Sequence, residues 1–283
     1  MESLKILIPT DFSVQAEYAY LMVKKLEEKT AIDIHFLHVL AVPDTVTMDS
    51  DGTIQTCGEI DLNYVLKQKE ITERKLTDLK SMYGDQIRTH LVLGKPTDAI
   101  LDFSQLNHFD LIVMGTKGAW GLKERLSGSE TQNIASRSKT PVLSLMCDRS
   151  HLTIKNILLV NNFSSPAKED MNLLHKLIKA FDAKLHLLQI TSGKVQTDYP
   201  SVEANMKKFA ELNNISNYEC HLINDKDVEN GVIHFNQMHS MDMVCIGTLG
   251  KGGIFHPSAT EKLINHLFKP IISFHLNNNI KIT

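Results

Sequence analysis

The chain has 283 residues, of which 42% are hydrophobic and 22% charged, with a formal net charge of -3. Its length suits one large domain or two of ordinary size. The charge and the lack of a dense Lys/Arg run exclude a broad basic face for nucleic acid. No stretch approaches the roughly 20 apolar residues of a membrane span, and the start has no signal-peptide pattern. The sequence therefore predicts a cytoplasmic protein.

In the first half of the chain, short apolar runs alternate with stretches of 3.6-residue periodicity. The pattern predicts strands at 6–9, 34–40, 89–93, 111–114 and 142–145, and helices near 16–26, 62–82, 97–106 and after Ser129. Asp61 and Gly84 are expected to bound the second helix. The segment 43–59 has no counterpart in the second half, and it is interpreted as a long connection, either a partner surface or a mobile loop.

The second half repeats the first in the same order. KILIPTDFS at 5–13 matches NILLVNNFS at 156–164, and FDLIVMGTKG at 109–118 matches MDMVCIGTLG at 241–250. Such self-similarity indicates a tandem duplication, with domains predicted at 1–148 and 152–283. Helices of the second half are expected to begin near Pro166 and Val202. Alternating strands and helices predict parallel sheets with helices on both faces.

Three glycines follow the strand at 111–114 with a set spacing, Gly115-x2-Gly118-x9-Gly128, and Ser129 comes next. Ser129 and Gln132 fit the start of a helix. The first turn of a helix has unpaired N–H groups and attracts anions, and glycine lets the chain approach them closely. This pattern favours phosphate binding, although glycines that only form tight turns would look the same.

The spaced glycines, together with ETQNI at 130–134 and TPV at 140–142, resemble the C-terminal signature of the nucleotide-binding branch of the universal stress protein family. The resemblance implies an α/β fold in which each half is a doubly wound, Rossmann-like domain. Each domain has a five-stranded parallel sheet of order 3-2-1-4-5. It also implies that the last strands, 142–145 and 271–274, pair about a pseudo-twofold axis and form an intrachain pseudo-dimer. A ligand would then lie between the ends of the first and fourth strands.

The resemblance also assigns roles to individual residues. The nucleotide-contacting positions of the family correspond to Pro9, Thr10, Asp11, Val39, Met114, Gly115, Gly118, Gly128, Ser129 and Thr131. Glu130 is included as well, since its carboxylate opposes a polyphosphate unless it turns outward or helps to hold a divalent ion. Asp11 has a second interpretation as a helix N-cap. The expected cofactor is ATP or ADP with Mg²⁺.

The second half departs from this pattern. Asn162 replaces the aspartate of the first strand, and Pro257 aligns opposite Gly128 in a loop three residues shorter. Proline has no N–H to offer a phosphate, and its φ is fixed. We therefore expect the second site to be weak or empty.

Three functions remain open on the sequence alone. The first is a regulatory, tandem universal stress protein that binds ATP or ADP in its N-terminal half, with at most slow hydrolysis, because no catalytic residue is evident. The second is an enzyme of the adenine-nucleotide α-hydrolase-like group, and the third is a nucleotide-free interaction module. The thirteen histidines form no HxH or HxxxH pair, so they predict no metal site. An unknown protein partner is expected, with 43–59 as its candidate surface, and a further homodimer remains open.

Overall fold

The computed structural model describes residues 3–49, 51–57, 60–116, 130–163, 166, 168–192, 198–248, 262–264 and 266–275. Within these ranges, no helix combines the length and the apolar character needed to cross a membrane.

The first half alternates strands and helices as predicted. Its elements are β1 (Leu4–Pro9), α1 (Val14–Glu27), β2 (Ile32–Ala41), β3 (Val46–Met48), β4 (Ile54–Thr56), α2 (Leu62–Tyr83), β5 (Ile87–Gly94), α3 (Pro96–Leu106), β6 (Leu111–Gly115), α4 (Glu130–Arg137) and β7 (Val142–Leu145). Asp61 caps α2 by accepting hydrogen bonds from the N–H groups of Asn63 and Tyr64. Gly84 ends this helix with a φ of 97°, which glycine adopts without steric cost.

The second half repeats this order. Its elements are β8 (Asn156–Val160), α5 (Asn172–Phe181), β9 (Lys184–Ser192), α6 (Tyr199–Leu212), β10 (Tyr218–Asp225), α7 (Val228–His239), β11 (Met243–Thr248) and β12 (Ile271–His275). The predicted helix start at Pro166 is wrong, because α5 begins at Asn172 and Pro166 is not helical. Between β8 and α5, Phe163 is instead buried in the core.

All the strands except β3 and β4 form one ten-stranded sheet of order β10-β9-β8-β11-β12-β7-β6-β1-β2-β5. Read from the outer strand inward, each half has the predicted order 3-2-1-4-5. The halves join through β12 and β7, the one antiparallel pair in this sheet, with Ile272 opposite Leu143. The expected pairing of the last strands is thus confirmed, and it covers two edges that would otherwise be free to pair elsewhere.

The two faces of the sheet bury separate apolar clusters, and each cluster runs through both halves. One face is covered by α1 and α2 in the first half and by α5 and α6 in the second. The other is covered by α3 and α4 and then by α7. Because both clusters continue across the junction of β7 and β12, the halves share their cores. Ser273 adds a polar link, since its hydroxyl donates to the carbonyl of Ala135 at 3.2 Å.

The segment 43–59 is more ordered than a plain connection. It contains the antiparallel hairpin of β3 and β4, with a turn at Gly52, which has a φ of 85°. Val46 and Ile54 are buried against Val42 and Val65, forming a small cluster of their own. The interpretation of 43–59 as a long connection did not include these two strands, each of which is too short to show a periodic pattern.

Candidate functional site

The strand order reverses between β1 and β6. From β1 the chain winds outward through β2 to β5, and from β6 it winds the other way to β7. In open α/β sheets, ligands bind beyond the carboxyl ends of the strands at such a switch point. Here the strands end at Pro9 and Gly115, and we call the space beyond them the switch-point crevice. Among the described residues, three parts of the chain border this crevice: Thr10 and Asp11, the end of β2, and the start of α4.

The loop after β1 is fixed by its own side chains. Thr10 is buried, and its hydroxyl accepts a hydrogen bond from the N–H of Phe12 at 3.0 Å. Asp11 accepts one from the N–H of Ser13 at 3.0 Å and is exposed. The N-cap of α1 is Ser13, whose hydroxyl accepts from the N–H of Ala16. The alternative role of Asp11 as the N-cap is therefore wrong, and its exposed carboxylate can be reached by a ligand.

His38 supports this loop from β2. Its Nδ1 lies 2.7 Å from the carbonyl oxygen of Thr10, and its ring stacks on Phe12 with the centroids 4.8 Å apart. A carbonyl only accepts, so Nδ1 carries the hydrogen and donates it. Burial lowers the pKa of His38, and the positive charge of Lys75 contributes, although the hydrogen bond to Thr10 opposes the shift. The ring is thus neutral at pH 7 and holds the Thr10 carbonyl in place.

The end of β2 forms a side wall of the crevice. The last residue of β1, Pro9, pairs with Leu37, whereas β2 continues beside β5 as far as Ala41. Val39 therefore lies past the end of β1. It is partly buried against the cluster that includes Met114, and it pairs with Val92 on β5. This places an apolar surface beside the switch point, as a planar base would require.

At the other side of the crevice, Gly115 has a structural reason to lack a side chain. A Cβ on Gly115 would lie 2.1 Å from the carbonyl oxygen of Gln15, a separation that real Cβ atoms do not show. The first turn of α1 therefore packs directly on the end of β6. Gly115 is needed for this contact whether or not a ligand binds.

The start of α4 is tied to the same strand end. The hydroxyl of Thr131 donates to the carbonyl of Gly115 at 3.1 Å, and Thr131 is buried. Its side chain thus fastens the helix to β6, and the positive end of the α4 dipole lies at the switch point. Glu130, the first residue of α4, is exposed. The predicted site residues Gly118, Gly128 and Ser129 lie outside the described residues.

The structure therefore brings eight of the predicted positions to one end of the first half. These positions are Pro9, Thr10, Asp11, Val39, Met114, Gly115, Glu130 and Thr131. His38 was missed, because nothing around it in the sequence indicates that the carbonyl of Thr10 will lie beside it. The repeat offered one signal, because the position that matches His38 in the second half, Gln189, also has a polar side chain within an apolar strand.

The equivalent loop of the second half is built differently. Asn161 is buried, and its side-chain oxygen accepts from the N–H of Asn162 at 2.7 Å. Phe163 is 1% exposed and packs edge-on against Phe209, with the centroids 5.1 Å apart. Gln189 accepts from the N–H of Phe163 at 3.3 Å. Phe163 thus lies in the core, whereas its counterpart after β1, Phe12, is only partly buried.

A cavity of about 380 Å³ lies elsewhere, between the two halves. Its lining includes Leu4 and Pro141 at the amino ends of β1 and β7, together with Ile272 and Phe274 of β12. This is the opposite end of the first-half strands from the switch-point crevice. The cavity is therefore not part of the site described above.

The fold and the site define a doubly wound α/β protein with a helix start at its switch point. A model of the universal stress protein family matches residues 3–145, and the chain belongs to that family. It is 30% identical over 149 residues to universal stress protein MJ0577 of Methanocaldococcus jannaschii, an alignment that covers 49% of this chain and 92% of the relative. MJ0531 of the same organism is 29% identical over 140 residues, which cover 49% of this chain and 79% of the relative.

The solved structures extend the likeness to the whole chain. A universal stress protein from Archaeoglobus fulgidus superposes with a TM-score of 0.69 and covers 97% of both chains at 19% sequence identity. Because identity is so low, this match shows a shared fold in both halves and no more.

Proposed function

We propose that this chain binds an adenine nucleotide, ATP or ADP with Mg²⁺, in the switch-point crevice of its first half. The main support for the proposal is that the crevice lies in the half of the chain matched by the family model. In that half the ends of β1 and β6 and the start of α4 meet at one place. The second half is proposed to bind no nucleotide and to act as a pseudo-dimeric partner. The domain limits 1–148 and 152–283 remain part of the proposal.

The described residues fit such a ligand in three ways. Val39 offers partly exposed apolar surface for the base, and Asp11 offers an exposed carboxylate for the ribose hydroxyls. Pro9 is buried at the end of β1 and would position the loop that follows. The first turn of α4 offers N–H groups and the positive end of the helix dipole to phosphates. Glu130 is exposed beside this turn, and its carboxylate is proposed to turn outward or to help hold a divalent ion. Thr131 contributes through its bond to Gly115.

The proposed role is regulatory, in a stress response within the cytoplasm, with binding rather than turnover as the signal. The hairpin of β3 and β4 is a proposed partner surface, because the second half has no counterpart of this segment. A further homodimer is compatible with this arrangement.

A thermal-shift titration tests the proposal. ATP with Mg²⁺ at about 100 times its Kd should stabilise the fold by roughly 2.7 kcal/mol. Gly128→Val should remove this stabilisation and leave the melting temperature without nucleotide almost unchanged, since the new Cβ intrudes on the phosphates. An unmoved melting temperature of the unmutated protein with ATP would contradict the proposal. Unaltered ATP affinity in the variant would mean that Gly128 is only a turn residue.

A further inference from the structure

Both halves carry a pair of histidines on adjacent strands at equivalent positions. In the first half, Nδ1 of His35 on β2 lies 2.8 Å from Nε2 of His90 on β5. In the second half, Nδ1 of His186 on β9 lies 3.0 Å from Nε2 of His221 on β10. The rings stack in both pairs, with the centroids 5.1 and 5.2 Å apart. The duplication thus provides two copies of one arrangement in a single chain.

The two copies differ in the residue that lies opposite the first histidine of each pair, which is His35 in one copy and His186 in the other. By strand register, His35 is opposite Arg88, whereas His186 is opposite Glu219. The first copy therefore has a positive charge where the second has a carboxylate. An arginine cannot bind a cation. The first copy does have a nearby carboxylate, but Asp33 lies 3.1 Å from the other ring nitrogen of His35, Nε2, and pairs with Arg88. Among the described residues, only the second copy places a carboxylate beside the two ring nitrogens that face each other.

The three potential ligand atoms of the second copy form a compact triangle. Oε2 of Glu219 lies 3.5 Å from Nδ1 of His186 and 3.8 Å from Nε2 of His221. These separations are too long for good hydrogen bonds. The two ring nitrogens are 3.0 Å apart. A single point can therefore lie about 2.0 Å from all three ligand atoms, and 2.0 Å is the length of a zinc–nitrogen or zinc–oxygen bond.

Neighbouring side chains orient the ligands. Nε2 of His186 lies 3.1 Å from the side-chain oxygen of Asn156, which accepts its hydrogen and leaves the lone pair of Nδ1 directed at the triangle. Lys184 forms an ion pair with Oε1 of Glu219, so that Oε2 is the oxygen that faces the histidines. The Lys184 charge opposes a bound cation but also holds the carboxylate in one orientation.

We propose that His186, Glu219 and His221 bind a zinc-type divalent ion, with water completing a tetrahedral site. Two imidazoles and a carboxylate are a ligand set that suits zinc, whereas magnesium and calcium prefer oxygen ligands alone. The ion links β10, which is at the edge of the sheet among the described strands, to its neighbour β9 and so holds this edge in place. The proposal is independent of the nucleotide site, which lies in the first half.

Isothermal titration with zinc chloride tests the proposal on the full chain, stripped of metal and without an affinity tag. The unmutated protein should bind one ion. Glu219→Arg, which copies the first half, should lose affinity by more than the roughly 10- to 100-fold typical of an outer-shell change. Arg88→Glu, the reverse exchange, should create a second site at His35 and His90. Absence of zinc binding, full affinity in Glu219→Arg, or no second ion in Arg88→Glu would overturn the proposal.

Two further controls separate this site from other zinc ligands. His90→Ala should leave zinc affinity unchanged, whereas His221→Ala should abolish it. Equal affinity in both variants would overturn the assignment. Asn156→Ala should weaken binding by roughly 10- to 100-fold, and Asn156→Asp should restore it by keeping an acceptor for His186. Cobalt in place of zinc should show no thiolate charge-transfer band, and such a band would assign the ion to the free cysteines instead.

Discussion

The loops after β1 and β8 begin from matching strands and reach different structures. After β1, Phe12 lies half-buried against His38, and α1 starts two residues later at Val14. After β8, Phe163 is buried in the core, and the next helix starts only at Asn172. The strand order is the same in both halves, so the sheet does not depend on these loops. The difference shows that the loop after the first strand of each copy can change the burial of its aromatic ring while the shared fold is kept.

The largest expected effect tests where the two aromatic rings lie. Phe163→Ala should lower the free energy of unfolding by about 3–5 kcal/mol, since it leaves a cavity against Phe209. Phe12→Ala is the matched control and should cost much less, because Phe12 is partly exposed. Urea unfolding of both variants measures the difference. Equal losses would show that the two loops are packed alike.

The next effect concerns the contact between α1 and β6. Gly115→Ala should cost about 1–3 kcal/mol, because the new Cβ meets the Gln15 carbonyl and α1 must shift. Adding Gln15→Ala should give no rescue, since the clash is with the backbone. Urea unfolding again provides the measurement. An unchanged midpoint in Gly115→Ala would mean that α1 does not press on this strand end.

A smaller effect separates the two halves as binding sites. Asp11→Ala should weaken ATP binding by roughly tenfold, or about 1.4 kcal/mol, through loss of a charge-assisted hydrogen bond to the ribose. Asn162→Ala, at the matching position of the second half, should leave the affinity unchanged. Calorimetric titration of both variants distinguishes the halves. If Asn162→Ala weakens binding as much as Asp11→Ala, the second half also takes part.

The smallest effect concerns a feature that the halves share, the buried histidine pair. Burial, with the nearby charges of His35, Lys5 and Arg88, lowers the pKa of His90 to about 4. The unfolded chain binds this proton near pH 6.5, so the contribution of His90 is complete above that pH and is lost as pH falls toward 4. His90→Gln should flatten this loss by about 1 kcal/mol, as measured by urea unfolding from pH 7 to pH 4. This is less than the roughly 3 kcal/mol that the full shift implies, because His90 is partly exposed and solvent screens its charge. An identical pH dependence in the variant would contradict the assigned shift.

Much of the fold could be predicted from the sequence, because buried parallel strands are short apolar runs with clear ends. The resemblance to the universal stress protein family implied the strand order, and the repeat extended it to both halves. The hairpin of β3 and β4 was missed because three-residue strands carry no periodic signal. The start of α5 was misplaced because Pro166 suits a first helical turn locally, whereas the burial of Phe163 is a tertiary effect.

Part of the candidate site could be predicted from the sequence, but the contacts that hold its residues in place could not. Glycine spacing indicated the end of β6, but the contact with Gln15 that requires Gly115 depends on how α1 packs. His38 was missed for the same kind of reason. The histidine pairs join residues 55 and 35 positions apart, so a search for closely spaced ligands could not find them. Side chains that meet across strands become visible only when the register is known.

The central claim is that the first half binds an adenine nucleotide and the second half does not. Equilibrium dialysis of the full chain with labelled ATP and Mg²⁺ tests it most directly. We predict saturation at one nucleotide per chain. Two equivalent sites per chain, or no binding at all, would contradict the account.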